Sequence, residues 1–186
     1  EEATVWEILF LRSFFFLLAL TVFLISIYKK NTIKIIKDSG FPGVLGGFVM
    51  SFSFVAFVLA MSSTTVANVV FIISTQTMFL AIFGYFYLKE RVSLIGSISI
   101  FLAMSGIAIM IGDSISSGSL FGNLVALAIP INFAILVMII RKNTNLDMVP
   151  AIFYSGVFSL IYGFFLTESF EFTSHDIFMG FLLGVP

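Results

Sequence analysis

The sequence has no cysteine, a single histidine, His175, and few charged residues, which make up 10% of the chain. Without cysteine, these 186 residues contain no disulfide, thiolate metal site or cysteine nucleophile. One histidine is too few for a histidine-based metal centre. The net charge of −1 gives no basic patch or stripe of the kind that nucleic-acid binding requires. We therefore expect no metal, no cofactor and no nucleic-acid partner.

Apolar residues make up 60% of the chain and include 25 phenylalanines. Six long apolar stretches follow one another and a seventh begins near residue 177, and a membrane-spanning helix needs roughly 20 such residues. We therefore predict an all-α membrane protein, a polytopic bundle with six complete transmembrane helices and the start of a seventh. The complete helices are predicted over residues 6–28, 42–61, 66–88, 92–112, 120–140 and 149–167.

The positive charges sort into alternate gaps between these stretches. Of the nine lysines and arginines, eight lie in the first, third and fifth gaps, and Arg12 is the exception. Short loops rich in lysine and arginine stay in the cytoplasm. This pattern predicts that loops 29–41, 89–91 and 141–148 are cytoplasmic and that residue 1, followed by Glu2, lies outside.

Both ends of the sequence favour an internal piece of a longer protein. The chain begins with Glu1 instead of methionine and has no signal-peptide layout. It ends at Pro186 inside an apolar run that supplies about half of a spanning helix. We expect further helices on both sides.

Arg12 lies about one and a half turns inside the first helix from its outer end. An ionised side chain within a span is costly and indicates a functional site by default. One interpretation is that Arg12 holds an anionic substrate group such as a carboxylate. The other is that it snorkels to the outer interface, or pairs with Glu7 or an acidic loop.

The third predicted helix carries the best polar cluster. Asn68, Thr75 and Gln76 fall within an arc of roughly 100° at 3.6 residues per turn, and the last two lie near the middle of the span. Polar groups at that depth must face protein or a water-filled cavity. The cluster predicts a substrate site, and hydrogen bonding between helices is the alternative.

The fifth and sixth helices offer weaker candidates. Asn132 follows Pro130 at mid-span, and transporters use interrupted helices at midplane binding sites, although a purely structural kink is the alternative. Tyr154, with Ser155 and Ser159, is predicted to line the same substrate cavity as the polar cluster of the third helix. Aspartate and glutamate are missing from mid-depth in the complete helices, so no proton relay and no catalytic set can be assembled, and we do not expect an enzyme.

Small residues recur at helical spacing, which allows close helix approach in lipid. They predict either a sliding contact or static close packing. They are Gly43, Gly47 and Ser51 on the second helix, and Ser99, Ala103 and Gly106 on the fourth.

Three groups of residues follow one another in a recognisable order: the turn over residues 60–68, the joint Leu88-Lys89-Glu90-Arg91 with Gly96 and Gly106 after it, and Ala134 with Arg141-Lys142. Together they resemble the EamA-type domain of the drug/metabolite transporter superfamily. Arg12 stands where many members carry an arginine early in their second helix. One departure is Thr77, thirteen residues before Glu90, where many members have a proline.

The resemblance implies ten helices in two inverted repeats of five. Residues 1–113 would form the first repeat without its first helix, and residues 114–186 an incomplete second repeat, with the Ser/Gly-rich segment 113–119 at the boundary. It implies a secondary transporter. We predict an exporter or exchanger that moves a small polar metabolite such as an amino acid by alternating access. The substrate site would comprise Arg12, Asn68, Thr75, Gln76, Asn132 and Tyr154.

The expected location is a plasma membrane, in particular a bacterial inner membrane, with the lipid bilayer and a small-molecule substrate as partners and a homodimer left open. Two other classes stay open as well. A seven-span receptor would share the outside N-terminus, and a membrane-embedded enzyme would need a catalytic set that the sequence lacks.

Overall fold

A computed structural model describes residues 4–168, 170 and 172–185, without the side chains of residues 114–117. Glu1, Glu2 and Glu171, which belong to the predicted outer face, fall outside this part of the chain. The described residues form these helices, with a 3₁₀ turn over Lys29–Asn31 between the first two: α1 (Val5–Tyr28), α2 (Thr32–Asp38), α3 (Gly40–Ser63), α4 (Val66–Ser74), α5 (Gln76–Leu88), α6 (Leu94–Ser117), α7 (Leu120–Lys142), α8 (Val149–Leu166) and α9 (Ser174–Gly184).

Six segments are long and apolar enough to cross a membrane: Val5–Asp38, Gly40–Ser63, Val66–Leu88, Leu94–Asp113, Leu120–Lys142 and Val149–Leu166. Each overlaps one of the six predicted helices, but the first continues through the 3₁₀ turn and α2 to Asp38, within the predicted loop 29–41. No strand occurs among the described residues. The prediction of an all-helical polytopic membrane fold is therefore confirmed. α9, with 11 residues, is the predicted beginning of a seventh span.

Caps explain where the structure departs from the predicted boundaries. α6 begins at Leu94 because the Ser93 hydroxyl accepts a hydrogen bond from the Gly96 amide at 3.1 Å. α9 begins at Ser174, three residues earlier than predicted, because Thr173 and Asp176 form a capping box. The Thr173 hydroxyl donates to the Asp176 carboxylate at 2.6 Å, and this hydrogen bond lowers the pKa of Asp176.

The third span is interrupted at Thr75, where a single continuous helix was predicted. The hydroxyls of Ser74 and Thr75 donate to the carbonyl oxygens of Phe71 and Ile72, both at 2.6 Å. The Thr75 amide also donates to the Ile72 carbonyl, three residues back, at 3.1 Å. These bonds tighten the turn and end α4, since side-chain hydroxyls compete with the regular helical pattern. The interruption forms without a proline.

α3 lies at the centre of the bundle and packs against α7 and α8, while α1 packs against α8 and α9. A core cluster of Ala60, Val69, Ile72 and Ala126 joins α3, α4 and α7. α6 lies at the edge beside α5 and α7. Its exposed side chains, among them Leu94, Ile95 and Phe101, form the apolar surface expected of a helix that faces lipid.

Candidate functional site

Arg12 lies in the outer half of α1 with its guanidinium over two phenylalanine rings of α3. The guanidinium carbon is 4.7 Å from the centroid of Phe54 and 5.1 Å from that of Phe57, which are cation–π distances. Its Nη1 atom is buried without a hydrogen-bond partner. Across the described residues Arg12 forms no ion pair. Glu7, one suggested partner, accepts a hydrogen bond from the Thr4 amide at 2.7 Å and so caps α1.

Two further buried polar atoms have no partner among the described residues, the hydroxyl oxygens of Ser53 on α3 and Tyr162 on α8. The ring of Phe52, next to Ser53, stacks on that of Tyr162 at a centroid distance of 5.9 Å. Sequence reasoning missed both residues. The available signal was a tyrosine inside an otherwise apolar stretch of the sixth predicted helix.

Thr75 and Gln76 meet at the interruption between α4 and α5. Thr75 is buried and Gln76 half-buried. A cavity of about 490 Å³ lies beside the interruption, between α4, α5 and α6. Its polar lining consists of the hydroxyl residues Ser74, Thr75, Thr77 and Ser99, and the small residues Gly96, Ala103 and Gly106 of α6 provide the space.

Asn68 lies in the first turn of α4, seven residues before Thr75, which is about 10 Å along a helix. Its side-chain nitrogen Nδ2 donates to the Thr64 hydroxyl at 3.1 Å and to the Asn123 side-chain oxygen at 3.3 Å. Thr64 in turn donates to the same oxygen of Asn123 at 2.7 Å. The structure therefore gathers Asn68 into a network that joins α4 to the fully buried Asn123 of α7, away from Thr75 and Gln76.

Asn132 is half-buried on α7, two residues after the buried Pro130. α7 continues through Pro130, so the mid-span interruption lies in the third span instead of the fifth. Tyr154 on α8 donates its hydroxyl hydrogen to the Ile36 carbonyl of α2 at 3.1 Å. That bond braces the basic loop at the opposite end of the bundle from Asn68, so the structure does not bring these two candidates together. Their role in substrate binding stays a prediction.

The basic loops carry contacts between helix ends. Arg141 of α7 pairs with Glu90, just after α5, at 2.7 Å, and the Lys142 ammonium lies 5.5 Å from the centroid of the Tyr87 ring. The ion pair is exposed and so contributes little to stability. It nevertheless links the end of α5 to the end of α7, on the side where the loops are basic.

The described residues contain no group of three or more histidine, aspartate or glutamate side chains placed to hold a metal ion. The model of the EamA-like transporter family matches residues 1–112, from α1 to most of α6. The matched segment includes Arg12, the interruption at Thr75 and the cavity beside it. The chain matches none of the curated proteins and none of the solved structures.

Proposed function

Because the chain belongs to the EamA-like transporter family and is thus a membrane transporter of the drug/metabolite type, we propose that it moves a small polar metabolite, such as an amino acid, by alternating access. The interruption at Thr75 is the observation that carries this proposal. α4 and α5 are two helical segments that meet near the middle of one span. Such discontinuous helices are the elements from which transporters build midplane sites.

The surroundings of the interruption support a polar substrate. A cavity of about 490 Å³ falls within the range of roughly 300–1,000 Å³ that small-molecule sites occupy. Hydroxyl groups line it without a charged side chain, and such groups bind polar solutes by hydrogen bonds. Thr75 lines this cavity and is the residue there that we propose for contact with substrate. Gln76 and Asn132 are not among the lining residues, and their contact with substrate stays a prediction.

The way the two ends of the third span, α4 and α5, are held supports movement between two states. α4 joins the core cluster with Ala60 and Ala126, whereas the far end of α5 is linked to α7 by the Glu90–Arg141 pair. The two segments therefore contact α7 at different points, on either side of Thr75. We propose that they tilt independently, so that the cavity opens first to one side and then to the other.

Contacts between α1 and α8 support the proposed repeats, residues 1–113 and 114–186. The hydroxyls of Ser13 and Ser159, 146 positions apart, share a buried hydrogen bond of 2.7 Å. On one side of this pair Gly163 lies against Phe10, and on the other side Gly156 lies against Phe16 and Leu17. Adding 146 to Phe10 gives Gly156, and subtracting 146 from Gly163 gives Leu17, so the Phe10–Gly163 contact corresponds to the Gly156–Leu17 contact. This correspondence is expected when two helices of inverted repeats cross on a two-fold axis.

The proposed orientation places residue 1 outside and loops 29–41, 89–91 and 141–148 in the cytoplasm, in a plasma membrane such as a bacterial inner membrane. The four lysines of the first loop are exposed, which fits the rule that short basic loops remain in the cytoplasm. We include exchange beside export, because the acidic residues Glu7, Glu90 and Asp113 all lie near span ends in the sequence. They therefore provide no carboxylate at mid-depth for coupling export to protons.

Solute counterflow tests the proposal. The complete protein is reconstituted into liposomes that are loaded with one unlabelled amino acid or organic acid at a time, and the same labelled compound is added outside. We expect at least one compound to accumulate transiently above its level in unloaded liposomes, because an alternating site exchanges solute in both directions. Binding of a compound without counterflow would contradict the transporter proposal and favour a receptor.

A further inference from the structure

The outer end of the Thr75 cavity, the space of about 490 Å³ beside the interruption, is formed by an aromatic ring that lies on a glycine. Along the third span the lining residues run from Phe71 on α4 to Ala81 on α5, and along α6 they run from Gly106 to Gly96. α4 begins and α6 ends on the proposed outer face. The outermost lining residues of the two sides are therefore Phe71 and Gly106.

The ring of Phe71 and the backbone of Gly106 approach each other closely. A Cβ atom built at residue 106 would lie 3.0 Å from Cζ of Phe71, and 3.8 and 4.0 Å from Cε1 and Cε2. Because glycine has no side chain, the tip of the ring reaches the α6 backbone. Ser74 and Thr75, which also line the cavity, lie one turn further in along the third span. The ring therefore lies between these two hydroxyl residues and the outer face.

The opposite end of the cavity lacks such a contact among the described residues. A Cβ atom built at Gly96 would meet only Val92 and Ser93, which lead into its own helix, and none of the described atoms of α5 comes within 4 Å of it. Beyond this end a second cavity of about 380 Å³ lies between α5 and α6, and Ile100 lines both cavities. The space between the two helices therefore continues towards the cytoplasmic face, whereas an aromatic ring closes it on the outer side.

We propose that Phe71 is the outer gate of the Thr75 cavity and that Gly106 is the seat on which its ring closes. This inference rests on the proposed transport function, because it names the residue that controls access to the same site from outside. In this structure the ring is seated and the cavity faces the cytoplasm. The Phe71 side chain is 42% exposed, so the ring swings away from Gly106 without unpacking the core when α4 tilts away from α6.

Thiol labelling of Ala103→Cys tests the gate, because Ala103 lines the cavity about one turn further in than Gly106. The complete protein, in a cysteine-free background, is reconstituted into liposomes and treated with a membrane-impermeant maleimide on one side at a time. Phe71→Ala removes the ring. We expect it to raise the labelling rate from outside about tenfold without raising the rate from inside, because only the outward-closed state loses a contact.

Phe71→Leu is the second variant and decides the matter if Phe71→Ala fails to fold. Leucine keeps an apolar side chain but is too short to reach the α6 backbone, so it should also raise labelling from outside, by less than alanine does. Phe101→Ala is the matched control, because Phe101 is exposed on α6 and is not among the residues that line the cavity. It should leave both labelling rates unchanged.

The outcomes separate the gate from the transport proposal. Labelling of Ala103→Cys from both sides, at the same rates with and without the Phe71 substitutions, would overturn the gate and leave alternating access supported. A rise from inside as large as the rise from outside, or an equal rise in Phe101→Ala, would also overturn the gate, because it would indicate general loosening. Labelling from outside in the Phe71 variants but never with Phe71 in place would contradict alternating access and leave the gate supported.

Discussion

Gly47→Ala is expected to force α3 and α8 apart and so to lower the stability of the fold. A Cβ atom at residue 47 would clash with Cβ of Tyr154 and would lie 2.7 Å from the Ala151 carbonyl oxygen and 2.9 Å from the Ser155 amide nitrogen. The last two are backbone atoms, which no side-chain rotation can move away. Overpacking costs about 1–3 kcal/mol, and separating two central helices puts this case at the upper end.

Gly112→Ala is the matched control on α6, because none of the described atoms comes within 4 Å of a Cβ built there. We expect it to keep or slightly increase stability, since alanine favours a helix over glycine by about 0.5–1 kcal/mol. The comparison is made on the melting temperatures of the two purified variants, with size-exclusion chromatography as the readout of protein that remains folded. Equal melting temperatures would contradict the close α3–α8 contact.

Thr75→Val should lower transport about tenfold while the protein keeps its fold. Valine has nearly the same shape as threonine but lacks the hydroxyl that donates to the Ile72 carbonyl at 2.6 Å. Without that bond α4 and α5 are expected to join into one continuous helix, and the cavity loses a polar group. One lost hydrogen bond at the site corresponds to roughly a tenfold lower rate. The measurement is the initial rate of counterflow at matched protein amounts.

Thr21→Val is the matched control, because the Thr21 hydroxyl makes a similar 2.6 Å bond to the Leu17 carbonyl within an uninterrupted helix. It should leave counterflow unchanged. If Thr75→Val transported at the wild-type rate, the interruption would have no role in transport. If instead the variant failed to fold, Thr75 would be a packing residue.

The membrane fold follows directly from the sequence. About 20 apolar residues are required to cross the hydrocarbon core, and this length requirement alone finds all six spans, although it leaves α2 (Thr32–Asp38) in a loop. The interruption at Thr75 was missed because apolar runs carry no information on hydrogen-bond direction. Pro130 was the obvious candidate for a break, but one proline removes a single hydrogen bond and α7 continues past it. Two adjacent hydroxyls at Ser74 and Thr75 redirect more bonds.

The candidate site was predictable only in part. A helical projection places Asn68 on the same face as Thr75, but it omits the distance between them along the helix axis. It also cannot show that Asn123 of another helix binds Asn68. Ser53 and Tyr162 were not found, since a serine in an apolar helix usually bonds to its own backbone. Whether its hydroxyl is left without a partner depends on which helices surround it, and that is decided by packing.

Two-sided access to the cavity is the central claim, and thiol labelling in a cysteine-free background measures it most directly; these 186 residues contain no cysteine. Ala103→Cys places one thiol on the cavity lining without touching the hydroxyls at the interruption. Ser62→Cys and Lys34→Cys, at exposed positions, serve as markers of the outer and the cytoplasmic face. A membrane-impermeant maleimide should label Ser62→Cys from outside, Lys34→Cys from inside, and Ala103→Cys from both sides. Labelling of Ala103→Cys from one side at most, with both markers behaving as expected, would contradict alternating access.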